Sequence, residues 1–349
     1  MVKWSPLLIL QMVAHVSISL KFITHPEADL NMEQKIKKHG YPLEIHEVIT
    51  EDNYILTVHR VPHGRKPPNN RTNRSPVLLL HGMGAHPEYF LVLGRRSLVY
   101  YLADRDFDVW ILNARGSPYS EKHKYFDVGD PKYWKFSFHE IGVYDIPANI
   151  DYIVNKTNQK VFVIGHSQGN TCYFVMATER PEYNDKVKIS SVYAPSVLLK
   201  YMDYPFAVTF SYVVELFQEV ASLLFSVRPV NIAARQLFHY MQNVKSGIFR
   251  QYDFGEIGNL ERYKTKMPPE YNLTNAVAPV ALFYAERDDV TSVKGAQETM
   301  KVLPNVIFSY KVPYKYFNHI DFLFGSNAST LVYKRNVQLF KDFDSGKMT

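Results

Sequence analysis

The sequence has 349 residues, 46% apolar and 21% charged, so a sizeable packed core is expected and intrinsic disorder is excluded. The formal charge is +6, but the Lys and Arg residues are dispersed, which argues against a nucleic-acid-binding protein. One cysteine, Cys172, excludes an intrachain disulfide framework, and the length suits two domains or one large domain with an inserted subdomain.

The first residues have the pattern of a secretory signal peptide. Lys3 gives a positive start, residues 7–18 are mostly apolar, and Ser17-Ile18-Ser19 offers a small-x-small cleavage site. We therefore expect residues 1–19 to be removed and the protein to be secreted or lysosomal. N-x-S/T sequons agree with this route and make four residues glycosylation candidates: Asn70, Asn155, Asn272 and Asn327. A further sequon at Asn73 is a poorer candidate because Pro76 follows it closely.

Strand-like and helix-like segments alternate through most of the remaining chain. A helix-containing segment is predicted over 20–44, and the alternating pattern of 46–62 around Thr-Glu-Asp-Asn predicts a β-hairpin. Short apolar runs typical of strands buried on both faces follow, with helix-like stretches between them. The strands are predicted at 76–82, 108–116, 161–164, 280–289 and 305–313, and the helices include 140–156 and 294–303. This order predicts an α/β fold with a mostly parallel central sheet.

The interval 184–278 interrupts the alternation. After a strand around Val192 comes helical, unusually apolar sequence such as 206–227, FAVTFSYVVELFQEVASLLFSV. One interpretation is a packed helical core. The other is a cap whose apolar underside lines a pocket and opens at a lipid surface. We predict a core formed by 20–183 and 279–349, with 184–278 inserted as a helical cap or lid.

VFVIGHSQGN, residues 161–170, carries the strongest chemical signal in the chain. An apolar strand, a G-x-S-x-G turn and a helix-compatible segment follow one another, which is the context that a nucleophile elbow requires. Gly165 and Gly169 lack a Cβ, so the turn can be tight and the helix can pass close to the strand. Ser167 is the predicted nucleophile. Cys172 falls on the following helix and is interpreted as a buried apolar filler.

A serine hydroxyl needs a base, and the base needs an acid that fixes its tautomer. In an open parallel sheet these groups gather beyond the carboxyl ends of the strands. The segment VALFYAERDD supplies acids at a strand end, Glu286, Asp288 and Asp289, and His319 lies in the loop after the next strand. The alternatives for single residues are a helix N-cap or turn for Asp288 and an ordinary surface or core histidine for His319.

The reaction also needs donors for a developing oxyanion. The backbone N–H of Gln168, directly after the nucleophile, is one predicted donor. HGMGAH, 81–86, follows an earlier strand, and its glycines let the backbone turn inward, which makes the Met83 N–H the second. A plain tight turn is the alternative interpretation. Phosphate binding fits less well because no G-K-S/T follows.

Segments spread through the chain resemble the acid lipase family of gastric and lysosomal lipases and their insect relatives. They are TEDNYILTVHRVP, LLLHGM, ILNARGSPYS, KYWKFSFHEIGVYDIPANIDYI, GHSQGN, YMQNVKSGIFRQYDFGEIGNLERY, PPEYNLTNA and FNHIDF, in order over about 25–343. The resemblance implies an α/β-hydrolase fold with a cap and lid, with Ser167 as nucleophile, Asp288 as acid, His319 as base and Met83 and Gln168 as oxyanion donors. Where the family often has G-N-D-x-L, this chain has AERDDV, so the adjacent Asp289 stays an alternative to Asp288. The cap cysteines of many members are missing.

The expected function is hydrolysis of neutral lipid esters such as triacylglycerol at a lipid–water interface, which the cap contacts peripherally. No metal or organic cofactor, nucleic acid or obligate protein partner is expected. The alternatives are a steryl esterase and a secreted lipid-binding protein that has lost catalysis. A peptidase is disfavoured because the cap is so apolar.

Overall fold

A computed structural model of the protein describes residues 27, 29–66, 73–85, 87–202 and 232–347. The predicted signal peptide 1–19, the sequon at Asn70 and the apolar stretch 206–227 lie outside the described residues.

The described strands form one sheet. Their bounds are β1 Glu44–Ile49, β2 Tyr54–Val61, β3 Ser75–Leu80, β4 Phe107–Leu112, β5 Lys122–His123, β6 Val161–His166, β7 Val187–Tyr193, β8 Val280–Tyr284 and β9 Val306–Lys311. The order across the sheet is β1-β2-β4-β3-β6-β7-β8-β9, with β5 paired to β2. Strands β4, β3, β6, β7, β8 and β9 are parallel to their neighbours in this run, whereas β1 and β2 form an antiparallel hairpin that joins β4. The predicted mostly parallel α/β sheet is confirmed.

The helices lie mainly between these strands. Their bounds are α1 Met32–Lys38, α2 Leu98–Ala103, α3 Ile146–Thr157, α4 Gln168–Glu179, α5 Ala234–Ser246, α6 Gly255–Tyr263, α7 Val293–Val302, α8 Asp321–Phe324 and α9 Lys334–Asp344. Shorter α, 3-10 or π turns occupy Pro87–Leu91, Gly94–Arg96, Phe138–Glu140, Ile141–Asp145, Pro181–Lys186, Leu199–Tyr201, Leu273–Asn275 and Ser329–Tyr333.

Apolar residues along the central strands face two separate cores. In β3, Leu78 and Leu80 belong to the core under α3 and α4, whereas Val77 and Leu79 belong to the core under α2 and α9. Successive side chains of a strand point to opposite faces, so helices on both sides require a continuous apolar run. This explains why the strands could be found in the sequence as unbroken apolar segments.

The strand order reverses at β3. From β3 the chain goes to β4 on one side of the sheet, and then to β6 on the other side. Such a switch leaves a crevice outside the carboxyl ends of the two neighbouring strands, where ligands bind in open α/β sheets. The loop with Gly82 follows β3 and Ser167 follows β6, so both lie at this crevice.

Strand β7 falls inside the interval that was predicted as a helical cap. It pairs in parallel with β6 and with β8, so residues 187–193 belong to the central sheet. This is the strand that the sequence predicts around Val192, so the interval 184–278 includes one strand of the sheet, and the insertion that follows it begins after Tyr193. The cap role of the following residues stays a prediction.

Helix α5 is attached to the core through a buried histidine. His239 is 0% exposed, stacks on Phe138 with ring centroids 3.8 Å apart, and donates from Nε2 to the Arg250 carbonyl oxygen at 2.9 Å. Its Nδ1 lies 3.0 Å from the Ser137 hydroxyl. Burial lowers the pKa of His239 from 6.5 to about 3, because the imidazolium form loses its hydration.

This histidine gives a pH-dependent contribution to stability. Because its folded pKa lies below the unfolded value, the contribution is complete above about pH 6.5 and is lost as the pH falls toward 3. The variant His239→Gln cannot titrate, so its deficit in free energy of unfolding relative to wild type should shrink by roughly 2–3 kcal/mol between pH 7 and pH 4.5, as measured by urea denaturation. Gln242→Ala on the same helix removes hydrogen bonds to Asp253 without removing a titrating group, so its deficit should stay constant. A constant deficit for His239→Gln would contradict the prediction.

Candidate active site

Ser167 sits at the tip of a sharp turn between β6 and α4. Its backbone has φ 54° and ψ −120°, and its N–H donates to the Tyr193 carbonyl oxygen of β7 at 3.2 Å. A positive φ is unusual for a residue with a side chain, and holding the backbone in this conformation costs about 1–3 kcal/mol. The sharp turn directs the hydroxyl away from the strand, beyond the end of β6.

The two glycines of the motif are needed because other atoms lie very close to the place of an added Cβ at both. An added Cβ at Gly165 would lie 2.2 Å from the Asn170 Oδ1, and one at Gly169 would lie 2.3 Å from the Leu80 carbonyl oxygen. Real Cβ atoms do not approach other atoms so closely, so helix α4 could not pack against β3 and β6 with larger residues there. The sequence interpretation of both glycines as close-approach positions agrees with these distances.

We expect Gly169→Ala to destabilise the fold by about 2–3 kcal/mol, since the clash is with backbone atoms of Leu80 that cannot move aside. The free energy of unfolding from denaturant titration checks this. Gly129→Ala is the matched control, because no atom lies within 4 Å of its added Cβ. The control should stay within about 0.5 kcal/mol of wild type. Equal stability of the two variants would contradict the close-approach argument.

The structure brings Ser167, His319 and Asp288 into one chain of hydrogen bonds. The Ser167 Oγ lies 2.9 Å from the His319 Nε2, and the His319 Nδ1 lies 3.0 Å from both carboxylate oxygens of Asp288. An ionised carboxylate only accepts, so the Nδ1 carries the proton and the Nε2 is left to accept from the serine hydroxyl. These residues follow β6, β8 and β9, which end at the same edge of the sheet.

The acids at the end of β8 have different surroundings. The Asp288 side chain is 0% exposed and also accepts from the N–H groups of Val290 and Thr291, at 3.0 and 2.7 Å, and from the Thr291 hydroxyl. Asp289 is exposed, and Glu286 forms a half-exposed ion pair with Lys311. Asp288 is therefore both the turn residue that the sequence allowed as an alternative and the carboxylate that contacts His319.

Two peptide groups beside Ser167 are the candidate oxyanion donors. Gln168 directly follows the serine as the first residue of α4, and Gly82 is so close that its added Cβ would lie 3.2 Å from the Ser167 Cβ. Met83 follows Gly82 and packs against the core. The donor roles of Met83 and Gln168 stay a prediction.

A contact that the sequence did not reveal holds this part of the site. The buried Gln168 side chain donates from its Nε2 to the Gln236 Oε1 at 2.7 Å. Gln236 belongs to α5, and the same segment reaches Gly84 through Ile232, whose Cδ1 would lie 2.8 Å from an added Cβ there. Gln236 in α5 and Ile232 just before it therefore contact both segments that carry the candidate donors.

A cavity of about 200 Å³ adjoins the nucleophile turn. Gly82 and Gln168 form the wall nearest Ser167, and most of the remaining wall is apolar, with Leu80, Leu112, Ala114, Ile141, Ile146 and Cys172. Arg115 also lines it, but the Arg115 guanidinium is paired with Asp52 and Asp145 and does not present a free charge. Cys172 is 2% exposed and burial raises the pKa of its thiol, consistent with an apolar filler.

A nucleophile elbow at the switch point of a mostly parallel sheet defines the class of α/β hydrolases. Residues 32–94 match a family described as a partial alpha/beta-hydrolase lipase region, and residues 75–217 match the alpha/beta hydrolase fold. The structure of an esterase from Pyrococcus furiosus shares this fold, with a TM-score of 0.52, 16% sequence identity and coverage of 88% of this chain and 93% of that one.

The chain is similar to known lipases over almost its whole length and theirs. Lipase 3 of Drosophila melanogaster is 34% identical, over 89% of this chain and 93% of the relative. Gastric triacylglycerol lipase of Bos taurus is 32% identical, over 92% of this chain and 94% of the relative. The chain therefore belongs to the acid lipase family, within the carboxylic ester hydrolases of the α/β-hydrolase fold.

Proposed function

We propose that the protein is a serine lipase that hydrolyses the ester bonds of neutral lipids, triacylglycerol above all, through Ser167, His319 and Asp288. The observation that carries this proposal is the unbroken hydrogen-bond chain from the Ser167 Oγ through His319 to the buried Asp288 carboxylate.

In the proposed reaction, the Ser167 Oγ attacks the ester carbonyl carbon while its proton passes to the His319 Nε2. Asp288 holds the imidazole and stabilises the imidazolium, and the N–H groups of Met83 and Gln168 bind the oxyanion. The bond to the alcohol then breaks, and His319 gives its proton to the leaving alkoxide oxygen. Water, deprotonated by His319, attacks the acyl-enzyme, and the fatty acid leaves as Ser167 recovers its proton.

The lipid substrate is supported by the apolar cavity and by the relatives. A cavity of about 150 Å³ holds benzene in another protein. The cavity of about 200 Å³ here would therefore take a short apolar group or the first part of a longer chain. Several relatives are named gastric triacylglycerol lipase, which favours triacylglycerol as the ester for this chain.

The test is hydrolysis of emulsified triacylglycerol and cholesteryl ester, together with labelling by a fluorophosphonate, which reacts covalently with an activated serine. We expect fatty acid release from triacylglycerol to dominate and the label to map to Ser167. Faster release from cholesteryl ester would indicate a steryl esterase. Absence of both hydrolysis and labelling would overturn the lipase proposal and favour a lipid-binding protein.

We also propose that the chain follows the secretory route to the lysosome or the extracellular space. The candidate sequons at Asn155, Asn272 and Asn327 lie at exposed positions, as a glycan requires. Over the described ranges, the protein has no helix that is both long and apolar enough to cross a bilayer. Expression in eukaryotic cells followed by peptide N-glycosidase treatment should lower the apparent mass, and an unchanged mass would count against glycosylation.

A further inference from the structure

His166, the residue before the nucleophile, has no part in the proposed proton transfers but is buried beside them. It is 6% exposed, and its ring centroid lies 5.0 Å from that of His319. Its Nε2 lies 2.9 Å from the backbone carbonyl oxygen of His319, which is 153 residues away in the chain. One side chain therefore joins the turn that carries the serine to the loop that carries the candidate base.

The hydrogen bond fixes which nitrogen of His166 carries the proton. A carbonyl oxygen only accepts, so the Nε2 must donate and the Nδ1 is unprotonated in the neutral ring. Burial, followed by the nearby charge of His319, lowers the pKa of His166 to about 3, so the ring stays a neutral donor at ordinary pH. The Nδ1 faces the loop after β3, because an added Cβ at Gly82 would lie 3.6 Å from it.

Apart from the side-chain bonds of His319 to Ser167 and Asp288, other hydrogen bonds of this loop are made by residues beside His319. The Arg287 N–H donates to the Phe317 carbonyl oxygen at 3.2 Å, and the Asn318 N–H donates to the Asp321 Oδ2 at 2.9 Å. These bonds shape the loop and tie it to the end of β8. The bond from His166 instead connects the peptide of His319 itself to the nucleophile turn, so it bears most directly on the distance between Ser167 and His319.

We propose that His166 is a positioning residue that sets the spacing between Ser167 and His319 by donating a hydrogen bond to the His319 carbonyl oxygen. This inference rests on the proposed serine-hydrolase function. A displacement of about 1 Å in a reacting group can reduce the rate about 100-fold, so the loss of this bond acts on kcat while substrate binding is retained.

The test compares His166→Gln with His166→Asn. The Gln amide nitrogen can occupy the place of the imidazole Nε2, whereas the Asn amide reaches only as far as the Nδ1. With p-nitrophenyl butyrate as the soluble ester, we expect kcat of His166→Asn to fall about 10- to 100-fold with KM within about twofold of wild type. The rate of fluorophosphonate labelling should fall in parallel, and His166→Gln should recover most of both rates.

His59→Leu is the control for loss of a buried histidine away from the site. His59 is 1% exposed, contacts Asn113 and has a pKa lowered to about 4 by burial. The kcat of His59→Leu per folded molecule should stay near the wild-type value. Equal kcat values for His166→Gln and His166→Asn would overturn the inference while the lipase proposal stands, whereas an inactive and unlabelled wild type would overturn both.

Discussion

Replacing Ser167 by alanine is expected to lower kcat for ester hydrolysis by roughly 10⁵- to 10⁶-fold. The variant lacks the oxygen that forms the acyl-enzyme, and only water activated in the remaining site could attack the ester. Some rate above the uncatalysed reaction should survive, because backbone donors still stabilise the oxyanion. Fatty acid release under saturating emulsion, titrated over hours at high enzyme concentration, measures this residual rate.

Ser97→Ala is the matched control for this experiment. Ser97 is also a buried serine, 1% exposed, but it precedes helix α2 in the core on the other face of the sheet. Its kcat should stay within about twofold of wild type. If Ser167→Ala retained more than a hundredth of wild-type activity, the covalent mechanism would be wrong.

Replacing Asp288 by asparagine should lower kcat about 10⁴-fold. The asparagine amide N–H would face the His319 Nδ1 and make that nitrogen an acceptor. The proton would then move to the Nε2, which could no longer take the proton of the Ser167 hydroxyl. The loss should appear in kcat and in the rate of fluorophosphonate labelling, while KM changes little.

Asp289→Asn removes the same charge one residue further along the chain. Because Asp289 is exposed and Asp288 is the carboxylate at 3.0 Å from His319, we expect Asp289→Asn to keep near-wild-type kcat. Comparing the two variants therefore separates loss of the carboxylate that contacts His319 from loss of one negative charge nearby. A larger loss for Asp289→Asn than for Asp288→Asn would assign the acid to Asp289 and refute the geometric choice.

The central sheet could be predicted because its strands lie between helices on both faces. That burial makes their sequences continuously apolar, as in Val77–Leu80 and Val161–Ile164. Strand β7 was predicted only loosely, as a strand around Val192, because it contains Lys188, Ser190 and Ser191, which weaken the apolar signal. Lys188 fits a central strand because its ammonium group reaches the Asp344 carboxylate in α9.

The sequence singled out the three side chains that the structure brings within hydrogen-bonding distance, Ser167, His319 and Asp288, with Asp289 left as an alternative acid. The elbow has a sequence signature, and the acid and base follow the ends of consecutive strands. The choice between Asp288 and Asp289 depends on the direction of a loop, which no pattern encodes. An aspartate side chain commonly accepts from the backbone two residues on, as Asp288 does from the Val290 N–H, but this tendency applies equally to Asp289 and does not decide between them.

The contacts of Gln236 and His166 were beyond sequence reasoning because they join distant segments. Gln236 lies 68 residues from its partner Gln168 and is one of several polar residues on α5. His166 could be singled out as unusual beside the serine, but the carbonyl oxygen that it meets is defined only by the folded loop. Such contacts obey hydrogen-bonding rules that can be checked in a structure but do not specify a partner in advance.

The burial of Cys172 makes the protein convenient for attaching spectroscopic reporters. It is the chain's only thiol, and at 2% exposure within α4 it is shielded from maleimide dyes in the native state. A cysteine introduced at Ile320, which is 55% exposed and next to His319, would therefore accept a fluorophore selectively, with no background site to remove first. The emission of that dye would register an oil droplet arriving at the rim of the crevice, separately from turnover.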